Sequence, residues 1–141
     1  MNPRTAGSLL FLVLAMIAAT ISPIGWIGPV RAADESAGHL VLVIDYGDGV
    51  QKHFVQIKWR EGMTVLDVME SAKEHPRGIR FEYRGRGATA LLTQIDDLKN
   101  EGRGRNWLYR INGKLADRSF AVQKVGVGDR IVWKFDEYRE N

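Results

Sequence analysis

The 141-residue chain has no cysteine. That absence excludes a disulfide scaffold, a thiol nucleophile and a lipid-anchored lipoprotein, so stability has to come from one packed core. Histidine is scarce as well. His39, His53 and His75 are the only three, and no two stand at the H-x-H or H-x-x-x-H spacing that brings a pair of imidazoles to one metal. There is no internal repeat and no low-complexity linker, and the length fits a single domain with a modest core.

A long apolar run occurs only at the front. After Arg4 no charge interrupts Thr5 to Val30, and the apolar heart of the run is "LLFLVLAMIAATI", Leu9 to Ile21. Val30 and Ala32 then occupy the small-residue positions that a signal peptidase reads, which predicts a signal peptide over residues 1–32. A short linker over 33–38 and one domain over 39–141 follow, in a secreted or periplasmic protein with no stable membrane insertion after cleavage. The alternative is an uncleaved anchor, since the run is long enough to span a bilayer. Pro23, Gly25 and Pro29 count against a continuous spanning helix.

Strong net charge is also missing. The chain has 20 Lys plus Arg against 17 Asp plus Glu, and loss of the leader removes Arg4 and Arg31 but no acid, leaving 18 against 17. The pI near 9.3 is therefore a poor argument for nucleic acid, whose binders carry a pronounced basic field. Distribution is more informative than total. Residues 34–76 hold 4 basic and 8 acidic side chains, 77–118 hold 10 and 5, and 119–141 hold 4 and 4. Composition alone favours a solvated face over an anion site in the basic segment.

Periodicity supplies the elements. Leu40 to Ile44, then Asp48-Gly49, then Val55, Ile57 and Trp59 alternating with Gln56 and Lys58 predict a β-hairpin. In "EGMTVLDVMESAKEHP" Thr64 stands three residues before Asp67 as a capping signal, and Val65, Leu66, Met69 and Ala72 share a face. This predicts one amphipathic helix near 64–75, closed by Pro76. Ile79, Phe81 and Tyr83 alternate with Arg80, Glu82 and Arg84 as in a half-buried strand, while Leu91, Leu92 and Ile95 fit a short strand or irregular packing. Trp107, Tyr109 and Ile111 align on one strand face, and Gly128-Asp129 feeds a last strand with Ile131, Trp133 and Phe135 aligned. The fold class expected is α+β, a β-grasp-like arrangement with one main helix packed on a mixed β-sheet.

"GRGRNWLYRINGK", Gly102 to Lys114, carries the sharpest functional hint. Gly-rich backbone permits close approach to a ligand, and Arg103 and Arg105 flank it with charge. Arg84 and Arg86 form a second Gly-Arg cluster in the same basic segment. The competing reading is an ordinary loop feeding a strand whose aromatics fill the core, and for Trp107 and Trp133 the core reading is favoured. Catalysis has little support. Ser71 and Ser119 lack a nucleophile-elbow context, and adjacent Asp96-Asp97 fit a loop, or partners for nearby arginines, better than an acid/base dyad. "GRGRN" lacks the strand, helix and lysine of a nucleotide loop. A non-enzymatic protein is expected.

The set "GMTVLDVMESA", "GRGRNWLYRINGK" and "VGVGDRIVWKF" resembles the β-grasp-like family of the transcobalamin and intrinsic-factor C-terminal domain, over His39 to Tyr138. In the vitamin carriers that domain closes over cobalamin against a separate helical domain. The resemblance implies a binding role at Trp107, Tyr109 and Asn112. Together with the arginines, the ligand candidates are Arg84, Arg86, Arg103, Arg105, Trp107, Tyr109 and Asn112. The expected function is an exported binding module for a small, anionic or corrinoid-like ligand, with no cofactor required beyond cobalamin or a related corrinoid as that ligand. The alternative is an envelope protein-protein interaction domain that uses an exposed sheet edge.

Overall fold

The computed structural model describes residues 38–139. The signal peptide, its cleavage point, the linker up to residue 37 and the last two residues lie outside the described residues. The described residues are α+β: one α-helix, a single 3₁₀ turn at Gly87–Thr89, and eight strands in two sheets.

β1 (His39–Asp45) and β2 (Gln51–Lys58) form the expected antiparallel hairpin. Its turn is fastened by two carboxylates: Asp45 Oδ1 accepts the Gly47 amide and Asp48 Oδ1 the Val50 amide, both at 2.9 Å. The alternation expected for β2 does not hold. Leu40 pairs with Ile57 but Leu42 with Phe54, so β2 carries one extra residue across from Val41. The bulge shifts the phase, burying Phe54 and Ile57 and leaving Val55 60% exposed.

The helix, α1 (Val65–Lys73), starts where the sequence places it. Thr64 Oγ1 accepts the Asp67 amide while Asp67 Oδ2 accepts the Thr64 amide, a reciprocal capping box. Two more amides of the first turn, Val65 and Leu66, donate to the carbonyls of Gln123 and Phe120, so the loop before the last strand completes the helix start. Val65, Val68, Met69 and Ala72 face the core. The helix ends earlier than 75 because the chain turns back at Gly78, where a Cβ would lie 2.6 Å from the carbonyl oxygens of Ala72 and Lys73.

The remaining strands are β3 (Phe81–Arg84), β4 (Leu91–Ile95), β5 (Leu98–Lys99), β6 (Arg105–Ile111), β7 (Lys114–Leu115) and β8 (Arg130–Glu137). One sheet runs β2-β1-β8-β6-β7, with β1 and β8 parallel and the other neighbours antiparallel. The other runs β3-β4-β5. A single mixed sheet was the expectation; two are found, because the join between β5 and β6 is made by a side chain. Asn100 Nδ2 donates to Leu92 O at 2.8 Å, and its Oδ1 accepts the Trp107 amide at 2.9 Å, so it couples β4 to β6 without a ladder. Ile79 is buried as expected, but Tyr83 is largely exposed beyond a register shift in β3.

Leu40, Leu42 and Ile44 of β1, Ile131 and Phe135 of β8, and Val65, Val68 and Met69 of α1 form the centre of the core. Among the described residues no helix is long and apolar enough to cross a membrane.

Candidate functional site

Aromatics on β6 and β8 face each other in register. Tyr109 lies opposite Trp133 with ring centroids 4.7 Å apart, and Trp107 opposite Phe135 at 5.2 Å. Phe120, from the segment between β7 and β8, stands edge-on to Trp133 at 5.6 Å. The small sheet approaches from the other side through Leu91 and Leu92. Between them is a cavity of about 190 Å³, bordered also by Arg118, Ser119 and Tyr138.

Most polar atoms at this cavity are already engaged. Trp107 Nε1 donates to Leu98 O at 2.9 Å, the Tyr109 hydroxyl to Arg118 O at 2.6 Å, and Ser119 Oγ to Ala90 O at 2.8 Å. Burial, with Asp117 adding repulsion, pushes the Tyr109 hydroxyl up to about 12, so it stays neutral and its proton is committed to the Arg118 carbonyl. One donor is different. Trp133 is 2% exposed, lines the cavity, and its Nε1 has no hydrogen-bond partner among the described residues. A buried N–H without a partner costs about 1–3 kcal/mol.

Of the seven ligand candidates drawn from the sequence, the fold brings only Trp107 and Tyr109 to this cavity. Trp107 is buried, in agreement with the core reading, and Tyr109 is buried beside it. Arg105 ion-pairs with Glu101 at 3.2 Å and lies 4.9 Å over the Phe135 ring. Its amide and guanidinium hold the Glu101 carboxyl below the usual range. Arg103 is exposed and makes no ion pair among the described residues. The glycine loop around it is closed by Asn106, which bonds Gly102 N, Gly102 O and Gly104 O. Arg84 ends β3 and Arg86 precedes the 3₁₀ turn, both exposed and away from the cavity lining. Asn112, at φ +51, ties the β6–β7 turn to the entry of β8: Nδ2 donates to Asp129 Oδ1 at 2.8 Å and Oδ1 accepts the Arg130 amide at 2.9 Å.

Sequence reasoning missed Arg118 and Phe120; its core assignment of Trp133 holds, and the same residue also borders the cavity. Arg118 was visible only as the last cation of the basic segment. Trp133 and Tyr109 share a strand period, but their register comes only from pairing β6 with β8. Among the described residues no three or more His, Asp or Glu side chains converge as metal ligands would.

A family model described as "Domain of unknown function (DUF4430)" matches residues 62–137, more than half of the chain, which therefore belongs to that family. No curated protein matches. Among solved structures, a protein of Ruminococcus gnavus ATCC 29149 described as a "putative metal binding protein" is similar in fold, with a TM-score of 0.57 and 16% identity, over 72% of this chain and 99% of that one.

Proposed function

We propose that this DUF4430 member is a non-enzymatic module that binds a small ligand in the aromatic cavity between β6, β8 and β4. The observation that carries the reading is the buried, unpartnered Trp133 Nε1 beside an apolar hollow. An apolar pocket with a few fixed polar groups is the usual form of a small-molecule site. The ligand has an apolar body that sits against Tyr109, Phe120 and Trp133, and an acceptor that takes the indole N–H. Arg118, exposed at the rim without an ion pair among the described residues, favours an anionic group on the solvent side. Anion recognition thus moves from Arg103 and Arg105, the sequence-based candidates, to Arg118.

The metal named in the Ruminococcus description finds no ligand cluster here among the described residues. A corrinoid is the harder ligand to fit. The cavity is below the roughly 300–1,000 Å³ of pockets that enclose drug-sized molecules, so a corrinoid would rest on the surface against a second protein. The β-grasp assignment is supported by parallel β1 and β8 flanked by antiparallel neighbours, with α1 packed on their core face. Export through a cleaved leader is part of the same proposal and rests on the Val30 and Ala32 pattern.

The experiment is a melting and tryptophan-fluorescence titration of the purified protein with small aromatic and aliphatic carboxylates and with hydroxocobalamin. A carboxylate that binds raises the midpoint by mass action. Trp133→Phe, which keeps the ring but removes the N–H, and Arg118→Gln should each weaken it by about tenfold or more. If no carboxylate shifts the midpoint at millimolar concentration, or if both variants bind as tightly as wild type, the cavity is not the site.

A further inference from the structure

The five-stranded sheet has an open edge at the other end of its strand order. Among the described residues β2 pairs with β1 alone, and no other backbone hydrogen bond reaches residues 51–58. In an antiparallel pair every second residue turns its N–H and C=O away from the partner, so β2 presents an outward row of unused donors and acceptors. Beside that row a groove of about 500 Å³ runs between β2 and the end of α1. Phe54 and Ala72 line it with His53, Lys58, His75 and Arg77.

The charge along this groove is one-sided. Among the described residues no Asp or Glu side chain lines it. Arg60, also on its border, lies 3.9 Å from Asp67, and nearby Lys52 is held by Asp96 at 3.0 Å. Lys58 and Arg77 are exposed and make no ion pair among the described residues. Sequence composition hid this feature, because residues 34–76 carry twice as many acids as bases.

We propose that the β2 edge takes an extended acidic segment of a partner protein as an added strand, with carboxylates meeting Lys58 and Arg77. Added strands draw affinity from main-chain pairing and specificity from alternate side chains. The bulge at Val55 and Gln56 limits the ladder to a short length, and the groove receives the segment's side chains. A second copy of this chain fits poorly. Two β2 edges side by side would bring Lys52, His53 and Lys58 of one copy towards the same residues of the other, and like charges across strands repel.

The test is fluorescence anisotropy of the purified protein with a labelled ten-residue peptide alternating threonine and glutamate. Binding is expected that weakens with salt. It should fall by about tenfold or more for the peptide N-methylated at alternate residues, which keeps its charge but loses main-chain donors, and for the Lys58→Glu, Arg77→Glu double variant. A lysine-for-glutamate peptide should not bind. Retained binding of a cavity-directed carboxylate by the double variant would show that its fold is intact and separate this edge from the cavity. The proposal is overturned if the acidic peptide fails to bind at millimolar concentration, if the N-methylated peptide or the double variant binds as wild type does, or if sedimentation finds a dimer that Val55→Lys disperses.

Discussion

Asp96 turns the chain between β4 and β5 at φ +48, and its two carboxylate oxygens tie that turn to the start of β3 and to the first hairpin. Oδ1 accepts the Arg80 amide at 2.9 Å, while Oδ2 accepts Lys52 Nζ at 3.0 Å and the Tyr46 hydroxyl. Burial raises the carboxyl's pKa, but the Arg80 N–H, the Tyr46 hydroxyl and Lys52 together outweigh it and hold the group below its ordinary range. Since the unfolded chain then takes the proton first, this contribution is present above the ordinary value of 3.8 and is lost as pH falls through the lower folded value. Asp96→Asn should cost about 1–3 kcal/mol at neutral pH and remove part of the acid sensitivity, read from urea midpoints at pH 7 and pH 3. An unchanged difference between the two midpoints would contradict this role. The tryptophans give a second comparison. Trp107→Phe loses a bond to Leu98 O, whereas Trp133→Phe loses an N–H with no partner, so the first should be more destabilising by about 1 kcal/mol in thermal or urea melts. Equal losses would mean that Trp133 Nε1 is satisfied in solution.

At the scale of elements, local signals set the starts and long-range contacts set the phases. Thr64 and Asp67 were read three residues apart, and they form the capping box. Thr64→Ala should cost about 1 kcal/mol, seen as a lower urea midpoint with the same slope; an unchanged midpoint would mean that the Gln123 and Phe120 carbonyls suffice to hold the first turn. The hairpin, the helix, and the Trp107/Tyr109 and Ile131/Trp133/Phe135 faces were legible because each depends on nearest-neighbour chemistry. The β2 bulge was not, since "HFVQIKW" alternates acceptably in either phase and only pairing with Leu40 and Leu42 chooses. The division into two sheets was equally hidden, because it depends on what one asparagine at 100 touches. The same reason limited the site. Trp107 and Tyr109 were recognised from their strand, but Arg118 and Phe120 reach the cavity from an irregular segment with no period to read. The arginines of the glycine loop drew attention through composition, which carries no information about direction.

On the scale of the whole molecule, the first and last strands form its middle. β1 lies between β2 and β8 in the strand order and pairs in parallel with β8, so residues about ninety apart in sequence must meet before the sheet is continuous. The segment that matches the family, 62–137, begins after both β1 and β2. Cut there, the chain would keep α1 and six strands but lose Leu40, Leu42 and Ile44, all fully buried, together with Phe54 and Ile57. Met69, Ile131 and Phe135 would lose part of the cluster they pack in, and β8 would become an edge with a bare row of backbone groups. Each large apolar side chain removed from a core costs about 2–5 kcal/mol, and a domain's whole stability is about 5–15 kcal/mol, so the fragment has no margin to fold. Expressed alone, residues 62–137 should give an aggregated or unfolded product without a cooperative melt, while 38–139 should melt in one transition. Adding residues 38–60 as a separate peptide should restore part of the structure, seen as dispersed amide resonances, because β1 supplies both the missing backbone partners and the missing core. A cooperative transition of the isolated 62–137 fragment would mean that the central position of β1 is dispensable and that the second half of the chain carries a core of its own.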